Sequence, residues 1–239
     1  MAALTKKERG GQTCPLCGSP IDPENMYRCA RFPVCTYTLP KKTLFDIHKD
    51  PFILFDLETS GLDRRTDRII EIGAVKVENG KIVDTFSQLL NPGTTQNGTP
   101  IFISSEITRL TGITNSDLEG QPAEPQGIGD FLAWAGGINM LAGHNIDTFD
   151  IPFLKAACKR ARMPFPFRYS IDTLKFVRAL RLKKKGYISN EKQTTIAAEL
   201  VGFTYSAHRA LDDVQALYRI LDFLCQKGDP MISEISARR

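Results

Sequence analysis

Four carboxylates and one imidazole carry the chemistry available to this chain. Asp56-Leu57-Glu58-Thr59 closes an apolar run, His144-Asn145 is followed by Asp150, and His208-Arg209-Ala210-Leu211-Asp212-Asp213 opens a late amphipathic stretch. Such a set could hold two divalent cations and deprotonate a water. Phosphodiester hydrolysis needs that combination, because charge must be supplied at both the attacking and the leaving oxygen. A hard dication such as Mg²⁺ prefers oxygen ligands and keeps several waters, which suits an open hydrolytic site. Each residue alone also has a plainer reading. Asp150, with Pro152 close behind, could cap a helix. Asp213 could be a solvated surface acid, and His208 a structural histidine.

The elements that must position these groups are those of an α/β unit. Residues 52–57, Phe-Ile-Leu-Phe-Asp-Leu, read as a buried strand. Asp56 and Glu58 are two apart on it, so both side chains leave the same face. With apolar neighbours on either side the strand looks central, where an uncompensated acid pair would be costly. Further strands are expected at 68–77 and 81–90, joined at Asn79-Gly80, a dipeptide whose residues both tolerate positive φ. Helices are expected at 104–112, 126–135, 149–162, 173–181, 192–201 and 208–226, and short strands at 140–143 and 169–172. In the last helix, positions 210, 211, 214, 217, 220, 221 and 224 are apolar and share one face at a 3.6-residue period.

Cysteine usage separates off a first domain. Four of the six cysteines, Cys14, Cys17, Cys29 and Cys35, fall at the start of the chain. Four thiolates in two pairs suit tetrahedral zinc in a closed structural site. A segment of about 30 residues buries too little apolar surface to fold alone, so the ion would supply much of its folding energy. Disulfides or unpaired thiols are the alternatives. The expected organisation is a zinc ribbon over 1–40, a linker over 41–50, a catalytic domain over 51–227 and a tail over 228–239. Cys158 and Cys225 sit in apolar helical patterns and read as reduced core residues.

Charge distribution says more than net charge, which is +4. From Lys155 to Lys185 there are eleven Lys or Arg and a single acid, Asp172. Such a strip would attract a phosphate backbone and release counterions on binding, although two solvated helix faces would look the same. No apolar run reaches the roughly 20 residues of a membrane span. The first thirteen residues lack the apolar core of a signal peptide. A cytoplasmic protein with no membrane partner is therefore expected.

Taken together, Phe55-Asp56-Leu57-Glu58-Thr59, His144-Asn145-Ile146-Asp147-Thr148-Phe149-Asp150 and His208-x-Ala210-x-x-Asp213 resemble the three motifs of the DEDD 3′→5′ exonucleases that use a histidine base. Ile107-Thr108-Arg109-Leu110-Thr111-Gly112-Ile113-Thr114 is similar to a stretch between the first two. That family includes bacterial proofreading subunits, ribonuclease T and the three-prime repair exonucleases. The resemblance implies a ribonuclease H-like mixed sheet of about five strands flanked by helices. It implies that Asp56, Glu58, Asp150 and Asp213 bind two Mg²⁺ or Mn²⁺ ions and that His208 takes the proton of the attacking water. Asp147 is the rival to Asp150, because many members have one residue fewer in the second motif. Thr59, Gly61 and Leu62 would hold the terminal nucleotide, with Leu62 wedged against its base. His144 and Asn145 either contact substrate or pin the local turn. The partner would be nucleic acid with a free 3′ end, with a polymerase or repair assembly possible beside it.

Cys14-Pro15-Leu16-Cys17-Gly18, Cys29-Ala30-Arg31-Phe32-Pro33-Val34-Cys35 and the trailing Thr36-Tyr37-Thr38 resemble the C4 zinc fingers at the carboxyl end of type I bacterial topoisomerases. By that resemblance Tyr27, Arg28, Arg31, Phe32 and Tyr37 are candidates for contacting single-stranded DNA, while Phe32 and Tyr37 could equally pack the ribbon's own core. Two other readings stay open. One is an exoribonuclease of the ribonuclease T type. The other is a non-catalytic nucleic-acid- or polymerase-binding module.

Overall fold

In a computed structural model the chain divides into two units, Met1–Leu44 and Phe45–Arg239. The structure describes residues 17–19, 21–22, 28–29 and 34 of the first, and 45–95, 97–205, 209–228, 230 and 232–235 of the second. In the first unit β1 (Ile21–Asp22) and β2 (Arg28–Cys29) pair antiparallel. Cys14, Cys35, Tyr27, Arg31, Phe32 and Tyr37 lie outside the described residues, as do the side chains of Arg28 and Cys29, so the zinc expectation falls outside them too. Of the four thiols only that of Cys17 is described, and it is half-buried.

In the second unit β3 (Phe52–Thr59), β4 (Ile69–Glu78) and β5 (Lys81–Leu89) come first. Then follow α1 (Ser105–Thr111), α2 (Asn115–Leu118) and α3 (Glu124–Ala135). A second series alternates: β6 (Met140–Gly143), α4 (Asp150–Arg160), β7 (Tyr169–Asp172) and α5 (Thr173–Ala179). A short α6 (Gln193–Thr195) runs into a π-helical turn, Ile196–Val201, before α7 (Ala210–Cys225) and β8 (Ile232–Glu234). The six-stranded sheet has the order β5-β4-β3-β6-β7-β8. Strands β3, β6 and β7 are parallel to one another, and the remaining pairings are antiparallel.

The strand alternation decides which core each residue enters. Phe52 and Leu54 join Val75, Val77, Ala142 and the apolar stripe of α7 in one core. Ile53, Phe55 and Leu57 face the other way, onto α3 and α4, where Phe131, Phe153 and Leu154 fill a second core. Each fully buried side chain of this size contributes roughly 1.5–3 kcal/mol, so the register is strongly fixed. One residue of slip would expose both sets. Helix α7 buries Ala210, Val214, Ala216, Leu217, Ile220, Leu221 and Leu224, close to the stripe expected from its period. Asn79 and Gly80 have φ of 51° and 67°, as the hairpin between β4 and β5 requires.

Several boundaries differ from the sequence-based expectation. Part of the expected linker packs onto the second unit: Ile47 is buried in the α7-side core, and the Phe45 ring meets the edge of Phe52 at 5.7 Å. The expected tail supplies a sixth strand, β8, which pairs antiparallel with β7. The helix expected over 192–201 begins at Gln193, with Lys192 as its extended cap, and changes from α to π at Ile196. Buried Glu124 had no signal in the sequence. It accepts a forked pair of hydrogen bonds from Arg160 at 2.7 and 2.8 Å, and another from the Ile69 amide, tying the start of α3 to α4 and β4. No helix among the described residues is long and apolar enough to cross a membrane.

Candidate active site

The site grows out of the strand alternation. Phe52 and Leu54 face α7, so Asp56 and Glu58, continuing with a period of two, face it as well. In the β3–β4 register Asp56 lies opposite Gly73 and Glu58 opposite Glu71. Gly73 is what lets α7 descend there. A Cβ at this position would run into the Ala210 backbone and the Leu211 amide. Glu71, 1% exposed, then fixes the start of the helix. Its Oε2 accepts from the Ala210 amide at 3.2 Å, and its Oε1 accepts from Arg209 at 3.0 Å. A carboxylate at a helix N-terminus is favoured by the exposed amides there. One turn along, Asp213 meets the strand acids: one carboxylate oxygen each from Asp56, Glu58 and Asp213 lie within 4.8 Å of one another.

Asp150 reaches the same place from α4. It is 3% exposed, and its Oδ1 accepts from the Leu57 amide at 3.1 Å, between the two strand acids. That amide lies beyond the β3–β6 ladder, whose register covers only Ile53 and Leu54 on β3. The cap position of α4 is Phe149, so the plainer reading of Asp150 as an N-cap does not hold. Asp147 is engaged elsewhere: Ser170 Oγ donates to it at 2.6 Å and Lys175 forms an ion pair with it. All four acids Asp56, Glu58, Asp150 and Asp213 line one open cavity of about 220 Å³, together with His144, Asn145, Phe149 and Gln193, whereas Asp147 does not.

Crowding these acids has an electrostatic consequence. Burial first, then the charges of Asp150, Glu58 and Asp213, push Asp56 well above the ordinary carboxylate range. Burial, then Asp213 and Glu71, raise Glu58 to about 8, with Arg209 opposing. Burial raises Asp150 to about 7 despite the Leu57 amide, which favours the charged form. Oxygen donors that cannot comfortably all ionise together fit a multiply charged cation, which would relieve both burial and repulsion.

Other expected site residues behave differently. His208 lies outside the described residues. His144 lines the cavity, yet both ring nitrogens are engaged: Nδ1 with Thr173 Oγ1 at 2.8 Å and Nε2 with the Glu191 carbonyl at 2.9 Å. Burial lowers its pKa, so the neutral ring donates from Nε2 and accepts at Nδ1. Asn145 adopts φ of 65°, donates its amide to Asp172 Oδ1 and accepts from the Thr148 hydroxyl at 2.6 Å. These bonds pin the turn after β6. Thr59 donates its hydroxyl to the Gly61 carbonyl at 2.6 Å, and a Cβ on Gly61 would strike the Asp67 carboxylate. Leu62 stands 83% exposed on the same loop.

Sequence reasoning missed the groups that hold Asp213. The Tyr205 hydroxyl donates to Asp213 Oδ1 at 2.8 Å. Gln193 donates to the Tyr205 oxygen at 2.8 Å and to the Asp213 carbonyl at 2.7 Å. Upstream, Phe203 packs on Tyr205, and the Arg219 guanidinium lies 3.6 Å from the Phe203 ring centroid. No spacing rule links residues 193, 205 and 213. Glu71, two residues from Gly73 and the one charged residue in the buried run of residues 69–75, was the one available signal.

Carboxylates gathered at the end of β3 and under α7, on a six-stranded mixed sheet with helices on both faces, define an α/β nuclease fold of the ribonuclease H type. Residues 53–221 match the exonuclease family, RNase_T. DNA polymerase III PolC-type from Caldanaerobacter subterraneus subsp. tengcongensis is 37% identical over 190 residues, 78% of this chain and 13% of that protein. DNA polymerase III subunit epsilon from Aquifex aeolicus is 37% identical over 163 residues, 68% of this chain and 74% of the subunit. The nuclease domain of 3′hExo, a DEDDh family member solved with rAMP, superposes with a TM-score of 0.63 at 24% identity, covering 80% of this chain and all of that one. The chain belongs to the exonuclease family. It spans a small part of the PolC-type proteins and about three quarters of the epsilon subunit.

Proposed function

We propose that this chain is a metal-dependent 3′→5′ exonuclease that removes nucleoside 5′-monophosphates from single-stranded 3′ ends, with DNA as the favoured substrate. The convergence of Asp56, Glu58 and Asp213 oxygens within 4.8 Å supports this reading most directly, and Asp150 on the same cavity extends the donor set to four acids. These residues would hold two Mg²⁺ or Mn²⁺ ions. When bound, such a pair supplies positive charge at the attacking and departing oxygens of the scissile phosphate. His208 is the general base that takes the proton of the attacking water. Leu62 would wedge against the terminal base, and its exposure to solvent supports that reading. The Thr59 oxygen remains an acceptor for the terminal sugar, because its proton is committed to Gly61. His144 and Asn145 serve by holding the turn between β6 and α4.

DNA is favoured over RNA because the relatives at 37% identity are parts of DNA polymerase III. A polymerase or repair assembly is the natural source of the 3′ end. Incubating matched DNA and RNA oligonucleotides, labelled at either end, with Mg²⁺ tests the whole reading. Stepwise shortening from the 3′ end, faster on DNA, is expected. Cuts confined to internal positions, or loss beginning at the 5′ end, would contradict it. The N-terminal cysteines Cys14, Cys17, Cys29 and Cys35 are proposed to hold one zinc, as their sulfur donor set suits that ion. Elemental analysis of the purified protein should find one zinc per chain, and a metal-free result would remove the ribbon from the account.

A further inference from the structure

The basic strip is not uniform in three dimensions. Arg160 is bound by Glu124, Lys175 by Asp147 and Arg178 by Glu191. Between α5 and α6, however, Arg181, Lys183, Lys184 and Lys185 are all exposed, and none has an ion-pair partner among the described residues. There is no acid in the sequence from Thr173 to Asn190. In the same turn Tyr187 is 59% exposed, and its ring meets no other ring among the described residues.

This turn is built rather than loose. Leu182 and Ile188, either side of the lysines, are buried in the α7-side core. The Lys185 amide donates to the Arg181 carbonyl at 2.9 Å, Gly186 to Lys183 at 3.0 Å, and Tyr187 to Leu182 at 3.0 Å. Arg181 and Gly186 take φ of 55° and 77°, the left-handed conformations a tight reversal needs. Four like charges and a large aromatic ring are thus held outward at a cost in repulsion and exposed apolar area that the fold itself does not require.

Its place in the chain ties it to the acid cavity. Helix α5 starts at the carboxyl end of β7, beside the turn pinned by Asp172, and its seven residues rise about 10 Å. The returning limb comes back to the site: the Glu191 carbonyl holds His144, and Gln193 lines the cavity. At the roughly 3.4 Å rise of a stacked strand, about 10–15 Å spans at most about four nucleotides, and fewer where a single strand is extended.

We propose that residues 181–187 form a landing surface for the single strand that trails from the acid cavity, with Lys183, Lys184 and Lys185 on successive phosphates and Tyr187 stacked on a base. The proposal rests on the exonuclease reading for the strand's direction. Exposed cations next to an unpartnered aromatic ring match the two needs of single-strand binding, charge along the backbone and a flat face for bases. A merely acidic polypeptide would use the lysines and leave the ring unexplained.

Fluorescence anisotropy of the full-length protein with labelled oligodeoxynucleotides, in Mg²⁺-free buffer so that no cleavage occurs, tests it. The triple variant Lys183→Ala, Lys184→Ala, Lys185→Ala should lower the slope of log affinity against log salt by about 2, since each single-strand phosphate contact contributes about 0.7. Tyr187→Ala should weaken binding of an oligonucleotide of about 15 nucleotides by about 5-fold or more. Binding of a single nucleoside 5′-monophosphate, too short to leave the cavity, should be unchanged in both. Because these side chains are exposed, thermal midpoints should match the parent, and Lys184→Glu serves as a second variant if the triple one does not fold. Slopes equal to the parent's in a protein with normal exonuclease activity would overturn the surface and leave the function intact. A reduced slope in a protein without exonuclease activity would support the surface while removing that function. Competition by polyglutamate as strong as by oligothymidine would overturn nucleic acid as the occupant.

Discussion

Asp150 and Asp147 differ by three positions and by everything around them. Asp150 is buried beside the Leu57 amide and opens onto the acid cavity. Asp147 is neutralised by Lys175 and anchored by Ser170. Asp150→Asn is expected to cut turnover about 100-fold or more, because the lost metal-borne charge stabilisation is worth several kcal/mol. Asp147→Asn should leave turnover near the parent's. Steady-state rates at saturating Mg²⁺ compare the two, and the reverse order would transfer the ligand role to Asp147. His208→Ala should lower the maximal rate about 100-fold or more, as loss of a general base does, while Mn²⁺ affinity measured by calorimetry stays within error. Equal losses in both would make the imidazole part of the site's architecture instead.

At the level of elements, the site is a contact between β3, β4 and α7. Asp213 can meet Asp56 only because the strand residue opposite Asp56 is Gly73, leaving room for the first turn of the helix. The buried Glu71 carboxylate then holds that turn through Arg209 and the Ala210 amide. Gly73→Ala is expected to destabilise the fold by about 1–3 kcal/mol, the usual range for overpacking, and to move α7 away from the strand acids. Urea unfolding should report the loss of stability, and Mn²⁺ titration should show a weakened site even where the protein remains folded. Unchanged metal affinity would mean that α7 is held by its apolar stripe alone. Residues 203 and 205 are stapled to α7 in sequence by Arg219 on Phe203, Phe203 on Tyr205 and Tyr205 on Asp213, which explains how an acid at a helix start keeps one orientation.

Across the second unit, the acids impose a pH dependence with a definite sign. Carboxyl groups raised to about 8 for Glu58 and about 7 for Asp150, with Asp56 also well raised, stabilise the fold while they are protonated. That contribution is complete below the ordinary carboxylate range and is lost as pH rises through the raised values. In Mg²⁺-free buffer the thermal midpoint should therefore fall between about pH 5 and pH 9. Saturating Mg²⁺ should remove most of the fall at the alkaline end by binding the ionised acids. A midpoint that ignores both pH and Mg²⁺ would show that these groups do not share one buried site.

Much of this was legible along the chain. The apolar run at 52–57, the Asn79-Gly80 turn and the stripe of α7 are local patterns, set by side-chain alternation, φ preference and helical period, and the structure reproduces them. The motif residues also declared which functional groups were on offer. Which groups meet was a different kind of information. That Asp150 rather than Asp147 lines the cavity depends on a β3 amide 93 residues away. That both ring nitrogens of His144 are engaged depends on Thr173 and Glu191, from other elements. The roles of Gly73, Glu71, Gln193 and Tyr205 likewise arise from register and helix packing. The sixth strand, a three-residue segment, was too short to leave a periodic signal. Sequence by itself determined the inventory of chemistry and the elements that carry it, because both follow from residue type and near-neighbour spacing. Only the tertiary structure decided the partners of each buried polar group, because those are fixed by long-range contacts that no local pattern encodes.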